Sequence, residues 1–353
     1  MARRKKKGRR KVKRKKVKKR ALKKSKRTKR KPRVLITGAS GRVGTALVKR
    51  LMKEGYRVRA LVRDTYSADQ LPSGIEIAFG DITDLEGLRG CCEKVEVVYH
   101  LAALIDYQAG WPRLYEVNSK GTVNVVTEAA RAKVKRLVYA SSIGVYGKGK
   151  QGRALKESDA LEPSDDYGRS KLDGEIAVWH SNLPFIALRF GLVYGPGFDE
   201  AYMPLLKMLE KRRMPYVGHG QNIMPFVHVN DVVEALVVAG SKNKEALNHA
   251  YNIVGERVTQ KQAFNLACRY LGVGRPLVHA SPAVLKSAVK MLNVVDRVMG
   301  RKPKLVPEYI EALEVNRDFD TEKARKVLGW KPKVEIKEGI QEMVEYYKSK
   351  TKG

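Results

Sequence analysis

From residue 33 onward, short apolar runs alternate with longer amphipathic stretches. Val34, Leu35 and Ile36 lead into Gly38, Gly41 and Gly44 within VLITGASGRVG. This pattern predicts a buried strand that turns tightly into a helix beginning near Arg42. Apolar runs at Arg57 to Val62, Ile75 to Phe79, Val95 to Leu101 and Arg136 to Ala140 predict four more strands. Helix-like segments separate them, including Trp111 to Ala132, where Leu114, Val117, Val125 and Ala129 share roughly one face. Nearly continuous apolar strands alternating with helices imply an α/β fold, a doubly wound parallel sheet covered on both faces. Ligands of such a sheet bind at the carboxyl ends of its strands.

Beyond Gly197 the pattern predicts a smaller C-terminal lobe, with a return to the sheet through Asn230 to Ala239 and a strand near Tyr251. Asp320 can cap a helix whose apolar side holds Ala324, Val327 and Leu328 and which Gly329 ends. Trp330 is expected in the core. Ala283 to Met299 sets apolar against basic residues at helical spacing; it is expected as a lobe helix, with closure over a substrate as the alternative. The expected division is residues 1–32 as a disordered basic tail, 33–197 with 226–253 as a dinucleotide-binding domain, and 198–225 with 254–353 as a substrate-binding lobe.

Composition changes this picture at one end only. The formal net charge of +34 is concentrated in the first 33 residues, which hold 23 Lys and Arg and no acid. Such a block repels itself and cannot bury apolar area. It reads either as a salt-sensitive attachment to nucleic acid or an anionic surface, or as a solubilising extension. It has no aromatic residue for base stacking and no apolar core of a signal peptide. No run approaches membrane-spanning length, and Cys91, Cys92 and Cys268 are too few and too irregularly spaced for a disulfide framework or a zinc site. A cytoplasmic location is expected, with no metal.

The candidate chemistry lies just after the strands. Arg63 ends the second strand, where an arginine accommodates a 2′-phosphate and an acid would hydrogen-bond a ribose hydroxyl. That residue favours NADP(H), although Asp64 next to it could reach a ribose. Asp81 follows the third strand and suits either an adenine amino group or a helix cap. Ser141 and Ser142 close the fifth strand. Tyr167 and Lys171 stand four residues apart, so on a helix they share a face. An ammonium beside a phenol favours the phenolate, which makes Tyr167 a candidate proton shuttle.

These residues resemble an extended short-chain dehydrogenase/reductase of the NAD-dependent epimerase/dehydratase family, whose fold is Rossmann-type. The resemblance spans about residues 33–350. It rests on TGASGRVG, GDITD, HLAA, VNSKGTVNV, SSIGVYG, YGRSK, LRFGLVYGPG, FVHVNDVVEA and FDTEKARKVLGWKP. It implies an NAD(P) cofactor whose pyrophosphate is held by Gly38, Gly41, Arg42 and Val43, with Gly44 completing the turn. Asp81 and Ile82 would flank the adenine, Ala102 and Ala103 would line the cofactor, and Asn118 would stand near the active site. Val193 would meet the nicotinamide, and Lys171 its ribose. The resemblance places the catalytic serine at Ser142 in preference to Ser141, with Tyr167 and Lys171. It also implies a small-molecule substrate and a homodimer through the helices at Trp111 to Ala132 and Tyr167 to His180. Members that bind nucleotide sugars carry an asparagine where this chain has Leu192 and an arginine before Phe226, where it has Met224 and Pro225. Those departures weaken the nucleotide-sugar reading, and the HLAALIDY and MPFVHV stretches resemble more closely the branch of 3β-hydroxysteroid dehydrogenases and dihydroflavonol reductases. A nucleotide-sugar epimerase that retains NAD, and a nucleic-acid-associated dinucleotide-binding protein acting through the tail, are the alternatives.

Overall fold

In β1 (Arg33–Thr37) successive side chains face opposite ways, so Val34 and Ile36 enter one core and Leu35 another. The computed structural model describes residues 31–106, 108–148, 152–241, 244–300, 310 and 313–351. The basic tail, residues 1–30, lies outside the described residues. After the glycine turn comes α1 (Arg42–Lys53), which buries Leu47, Val48 and Leu51, each contributing about 1.5–3 kcal/mol. Its exit runs through Gly55 at φ +81°, a left-handed conformation suited to glycine. The chain continues through β2 (Arg57–Val62), the short α2 (Thr65–Asp69), β3 (Glu76–Phe79) and β4 (Val97–His100).

The stretch expected as one helix from Trp111 to Ala132 is divided. A short α3 (Gly110–Leu114) passes into a π-helical turn over Tyr115–Lys120 and then into α4 (Gly121–Arg131). The wide turn faces Asn118 and Ser119 inward, where a regular helical period supplies only apolar positions. Then follow β5 (Arg136–Ser142), α5 (Asp166–Trp179), β6 (Phe185–Phe190), β7 (Leu192–Tyr194), α6 (Asp199–Glu210), β8 (Tyr216–Val217), β9 (Ile223–Met224), β10 (Phe226–His228), α7 (Val229–Ser241) and β11 (His249–Ile253). Beyond these lie β12 (Val258–Thr259), α8 (Gln260–Leu271), β13 (His279–Ala280), α9 (Pro282–Val298) and α10 (Ile336–Thr351).

Seven strands form one sheet in the order β11-β6-β5-β4-β1-β2-β3, parallel throughout. The doubly wound order has its switch point between β1 and β4, where Thr37 pairs with His100. One face is covered by α1 and α7, the other by α4 and α5. A separate core gathers Leu206, Leu209, Tyr216, Phe264 and Val344 around three two-stranded pairings, β7 with β10, β9 with β12, and β8 with β13. Arg33–Gly353 is one compact unit.

Near the C-terminus Asp320 accepts the Glu322 N–H at 2.7 Å, and Gly329 ends the turn at φ +67°. The segment Ala324–Leu328 is π-helical, so the angular step differs from the expected one: Ala324 and Leu328 are buried, while Val327 faces outward. Trp330 is a core residue whose indole N–H donates to the Asp231 carbonyl at 3.0 Å. All three cysteines are buried free thiols, and among the described residues no helix is long and apolar enough to cross a membrane.

Candidate active site

The glycine turn after β1 packs against the chain leaving β4. A Cβ on Gly38 would come within 2.7 Å of the Ala102 N, and one on Gly44 would collide with the Gly38 carbonyl. Gly38 also has φ +68°. Backbone therefore meets backbone at the switch point, leaving the first N–H groups of α1 directed into a cradle with no side-chain cap from Gly41. Arg42 and Val43 open that helix, and half-buried Ala102 and Ala103 form the other wall. Small residues and uncapped donors fit an anionic pyrophosphate. The Arg42 guanidinium donates to Glu200 at 2.7 Å and lies 5.6 Å from the Phe198 ring centroid, so it is engaged by the start of α6.

Other candidates along the sheet edge have local partners. Exposed Arg63 follows β2, while Asp64 caps α2 by accepting the Ser67 N–H at 2.7 Å, a bond that holds its carboxyl below the usual carboxylate range. Asp81 accepts from both the Thr83 N–H and hydroxyl at 2.9 Å, which closes a turn after β3; no helix begins there for it to cap. Ile82 is buried beneath Gly121, and its carbonyl accepts from Asn124 at 2.8 Å. Val193 is half-buried in β7, its carbonyl accepting the Tyr202 hydroxyl at 3.0 Å. Asn118, inside the π-helical turn, accepts from the Leu104 N–H at 2.7 Å and donates to the Ser170 hydroxyl at 2.9 Å. It thereby joins the loop after β4 to α5.

On α5 the residues Tyr167, Lys171 and Glu175 follow at steps of four and face the same way. Asp165 caps the helix, accepting the Gly168 N–H at 2.6 Å. Gly144, just past β5, meets this first turn: its missing Cβ would lie 3.3 Å from the Ser142 Oγ and 3.9 Å from the Tyr167 ring. A Cβ on Gly168 would reach the Gly144 carbonyl at 2.5 Å. The two glycines thus let Ser142 stand beside Tyr167. The Ser142 Oγ accepts the Gly144 N–H at 3.0 Å. Ser141 points to the opposite face of the strand, buried and with no hydrogen-bond partner for its Oγ among the described residues.

Lys171 is 3 % exposed, and its ammonium lies 4.4 Å from the Tyr139 ring centroid. Burial pushes its pKa down to about 7, and the Glu175 carboxylate opposes that shift. Glu175 is buried and paired with Arg189 of β6 through two bonds of 2.9 and 2.8 Å. Arg189 also donates to Tyr146 at 2.6 Å, and Tyr146 donates to Asn252 at 2.8 Å. Nearby His100 is sandwiched between Thr37 at 2.7 Å and Thr122 at 3.0 Å. Burial, reinforced by the Lys171 charge, lowers its pKa to about 3, so the imidazole is neutral.

Sequence reasoning missed Glu175, Arg189, Gly144 and Gly168. Glu175 was open to detection, standing one further helical step beyond Lys171. Arg189 had no local signal, because its pairing with Glu175 fourteen residues earlier depends on how β6 packs against α5.

Comparison with known proteins places the chain in a family. The model of the NAD dependent epimerase/dehydratase family matches residues 34–254. A UDP-glucose 4-epimerase from Vibrio cholerae is 29% identical over 328 residues, covering 89% of this chain and 95% of that one. A 3beta-hydroxysteroid-dehydrogenase/decarboxylase isoform 1 from Arabidopsis thaliana is 28% identical over 284 residues, covering 74% of this chain and 64% of that one. The solved structure of MoeE5 in complex with UDP-glucose and NAD superposes with a TM-score of 0.70 at 27% identity, covering 90% of this chain and 99% of that one.

A buried lysine with a lowered pKa has a signature independent of any substrate. The folded protein binds fewer protons than the unfolded chain between about pH 7 and the ordinary lysine range, so this group costs most stability below pH 7 and progressively less above it. Lys171→Met removes the penalty. The variant should be more stable by on the order of 4 kcal/mol below pH 7, with the difference shrinking as pH rises toward 10. Urea midpoints of both proteins across this range measure it; a difference independent of pH would exclude a buried, titrating lysine.

Proposed function

We propose that this chain, which belongs to the NAD dependent epimerase/dehydratase family, is a dehydrogenase or reductase that moves hydride between a nicotinamide and a secondary alcohol or ketone lacking a diphosphate. That it is an NAD-dependent epimerase/dehydratase-family enzyme follows from the family match. The observation carrying the reaction is the shared face of α5, where buried Lys171 stands one turn from Tyr167, with Ser142 alongside through Gly144.

The bound nicotinamide supplies the hydride acceptor or donor. Ser142 holds the substrate oxygen with its hydroxyl, and Tyr167 exchanges the proton on that oxygen. Lys171 in its ammonium form stabilises the phenolate, and its position against Tyr139 keeps the charge within the protein. The glycine cradle with Arg42 and Val43 is read as the pyrophosphate site, Asp81 and Ile82 as the adenine site, Ala102 and Ala103 as the cofactor wall, and Val193 as the nicotinamide contact. Residues 33–197 with 226–253 are assigned to the cofactor, and 198–225 with 254–353 to the substrate.

Two apolar positions support a substrate without a diphosphate. The Leu192 N–H donates to the Pro225 carbonyl at 2.8 Å, next to buried Met224. Neither position supplies an amide or a guanidinium of its own, and the adjacent Asn222 amide is already engaged by the Met224 Sδ at 3.3 Å and the Leu313 carbonyl at 2.8 Å, so an unpaired anion there would be costly. NADP(H) is favoured because Asp64 is occupied with its helix cap while Arg63 is exposed at the end of β2. The Vibrio relative's name and the UDP-glucose in the MoeE5 structure favour the second reading, a nucleotide-sugar epimerase that retains NAD. A homodimer through α4 and α5 is supported by exposed Val123, Ile176 and Trp179. The basic tail is read as a non-specific tether to anionic partners.

Tyr167→Phe should lower turnover on the order of 100- to 10,000-fold while leaving cofactor binding and fold intact; near-full turnover would contradict the proton-transfer role. Fluorescence titration of the purified chain with NAD⁺, NADH, NADP⁺ and NADPH separates the two readings. Exchangeable binding that prefers NADP(H), with the preference reduced about tenfold or more in Arg63→Ala, is expected. Tightly retained NAD(H) would favour the epimerase instead.

A further inference from the structure

The outward side of α9 is apolar without a covering partner among the described residues. Val284 is 64% exposed and Met291 73%, and Ala288 and Leu292 are exposed beside them. These four recur at helical spacing on one stripe. The inner side is anchored separately, with Val289 buried and Leu285 half-buried in the lobe core. Leu277 at 87% exposure and Val278 at 64% precede the helix, and Met299 follows it, exposed. The lysines of the helix lie away from the stripe: Lys290 is exposed, and Lys286 is paired with Glu314 at 2.7 Å. Residues 272–304 together hold seven Lys or Arg and one acid.

We propose that α9 is an interfacial helix that lies in the headgroup region of an anionic lipid bilayer, with Val284, Ala288, Met291 and Leu292 inserted among the acyl chains. An exposed apolar stripe in a segment whose sequence is rich in Lys and Arg is complementary to such a surface, which offers hydrocarbon below and negative charge above. A second copy would bring two segments of the same basic excess together. Nucleic acid would satisfy the cations and leave the aliphatic stripe in water, with no aromatic ring to stack on a base. The 23 Lys and Arg in the first 33 residues add attraction of the same sign. Two weak attachments, one apolar and one electrostatic, together give the avidity that either alone lacks. Attachment at a bilayer would put the enzyme where apolar alcohols and ketones partition.

Flotation of the full chain with phosphatidylcholine vesicles, with and without phosphatidylglycerol, tests the proposal. Binding is expected only to the anionic vesicles and should weaken as salt rises. Met291→Gln combined with Leu292→Gln leaves every charge in place and should weaken that binding at least about tenfold. Circular dichroism and cofactor titration verify the fold, and Val284→Gln reads the same stripe if the pair is misfolded. Unchanged vesicle binding in these variants, or no flotation of the unaltered chain, would overturn the proposal. Loss of self-association or of RNA binding in the variants, without loss of vesicle binding, would assign the stripe to those partners and overturn it equally.

Discussion

Burying an ammonium is the costly step around which this site is arranged. Lys171, on the inner face of α5, lies against the ring of Tyr139, withdrawn from water. One turn away Glu175 supplies the opposing charge, but that carboxylate is itself held in two bonds by Arg189. A buried charge pair of this kind contributes little net stability and fixes geometry instead. The outcome is a lysine whose ionisation falls near neutrality, one helical turn from Tyr167, to which the proton transfer is assigned in the proposed function.

The parallel sheet delivers these parts to one edge. The β1 turn and the exit from β4 touch through Gly38 and Ala102, and the end of β5 touches α5 through Gly144 and Gly168. Each contact is one of backbone against backbone, which only glycine allows at that distance. Asn118 adds a third tie, reached through the π-helical turn that also interrupts the helix. The glycine turn and the Tyr167–Lys171 face of α5 are therefore fixed by the same sheet, with little side-chain freedom between them.

Much of this was legible in the sequence. The glycine turn, the strands around Arg57–Val62 and Arg136, the α5 face and the Trp330 core position follow from period, cap and turn chemistry. What escaped detection depends on long-range contact. Nothing near Arg189 indicates that it meets Glu175, and nothing near Arg42 indicates that Glu200 from another element meets its guanidinium. The π-helical turns at Tyr115–Lys120 and Ala324–Leu328 also break the regular period on which pattern reading relies, which is why Val327 was expected on the wrong side. The choice between NAD(H) and NADP(H) and the substrate class turn on single side chains at the strand ends, where local pattern is weakest.

The account stands or falls on the charge state of one side chain. Nuclear magnetic resonance titration of the lysine side chains, with Lys171 identified by its absence from Lys171→Met, measures that state directly. The structure predicts a Lys171 midpoint near pH 7, well below that of the exposed lysines. A midpoint in the ordinary range near 10 would mean that the ammonium is solvated or fully compensated, and the arrangement of Tyr139, Glu175 and Arg189 would then not tune the tyrosine as described.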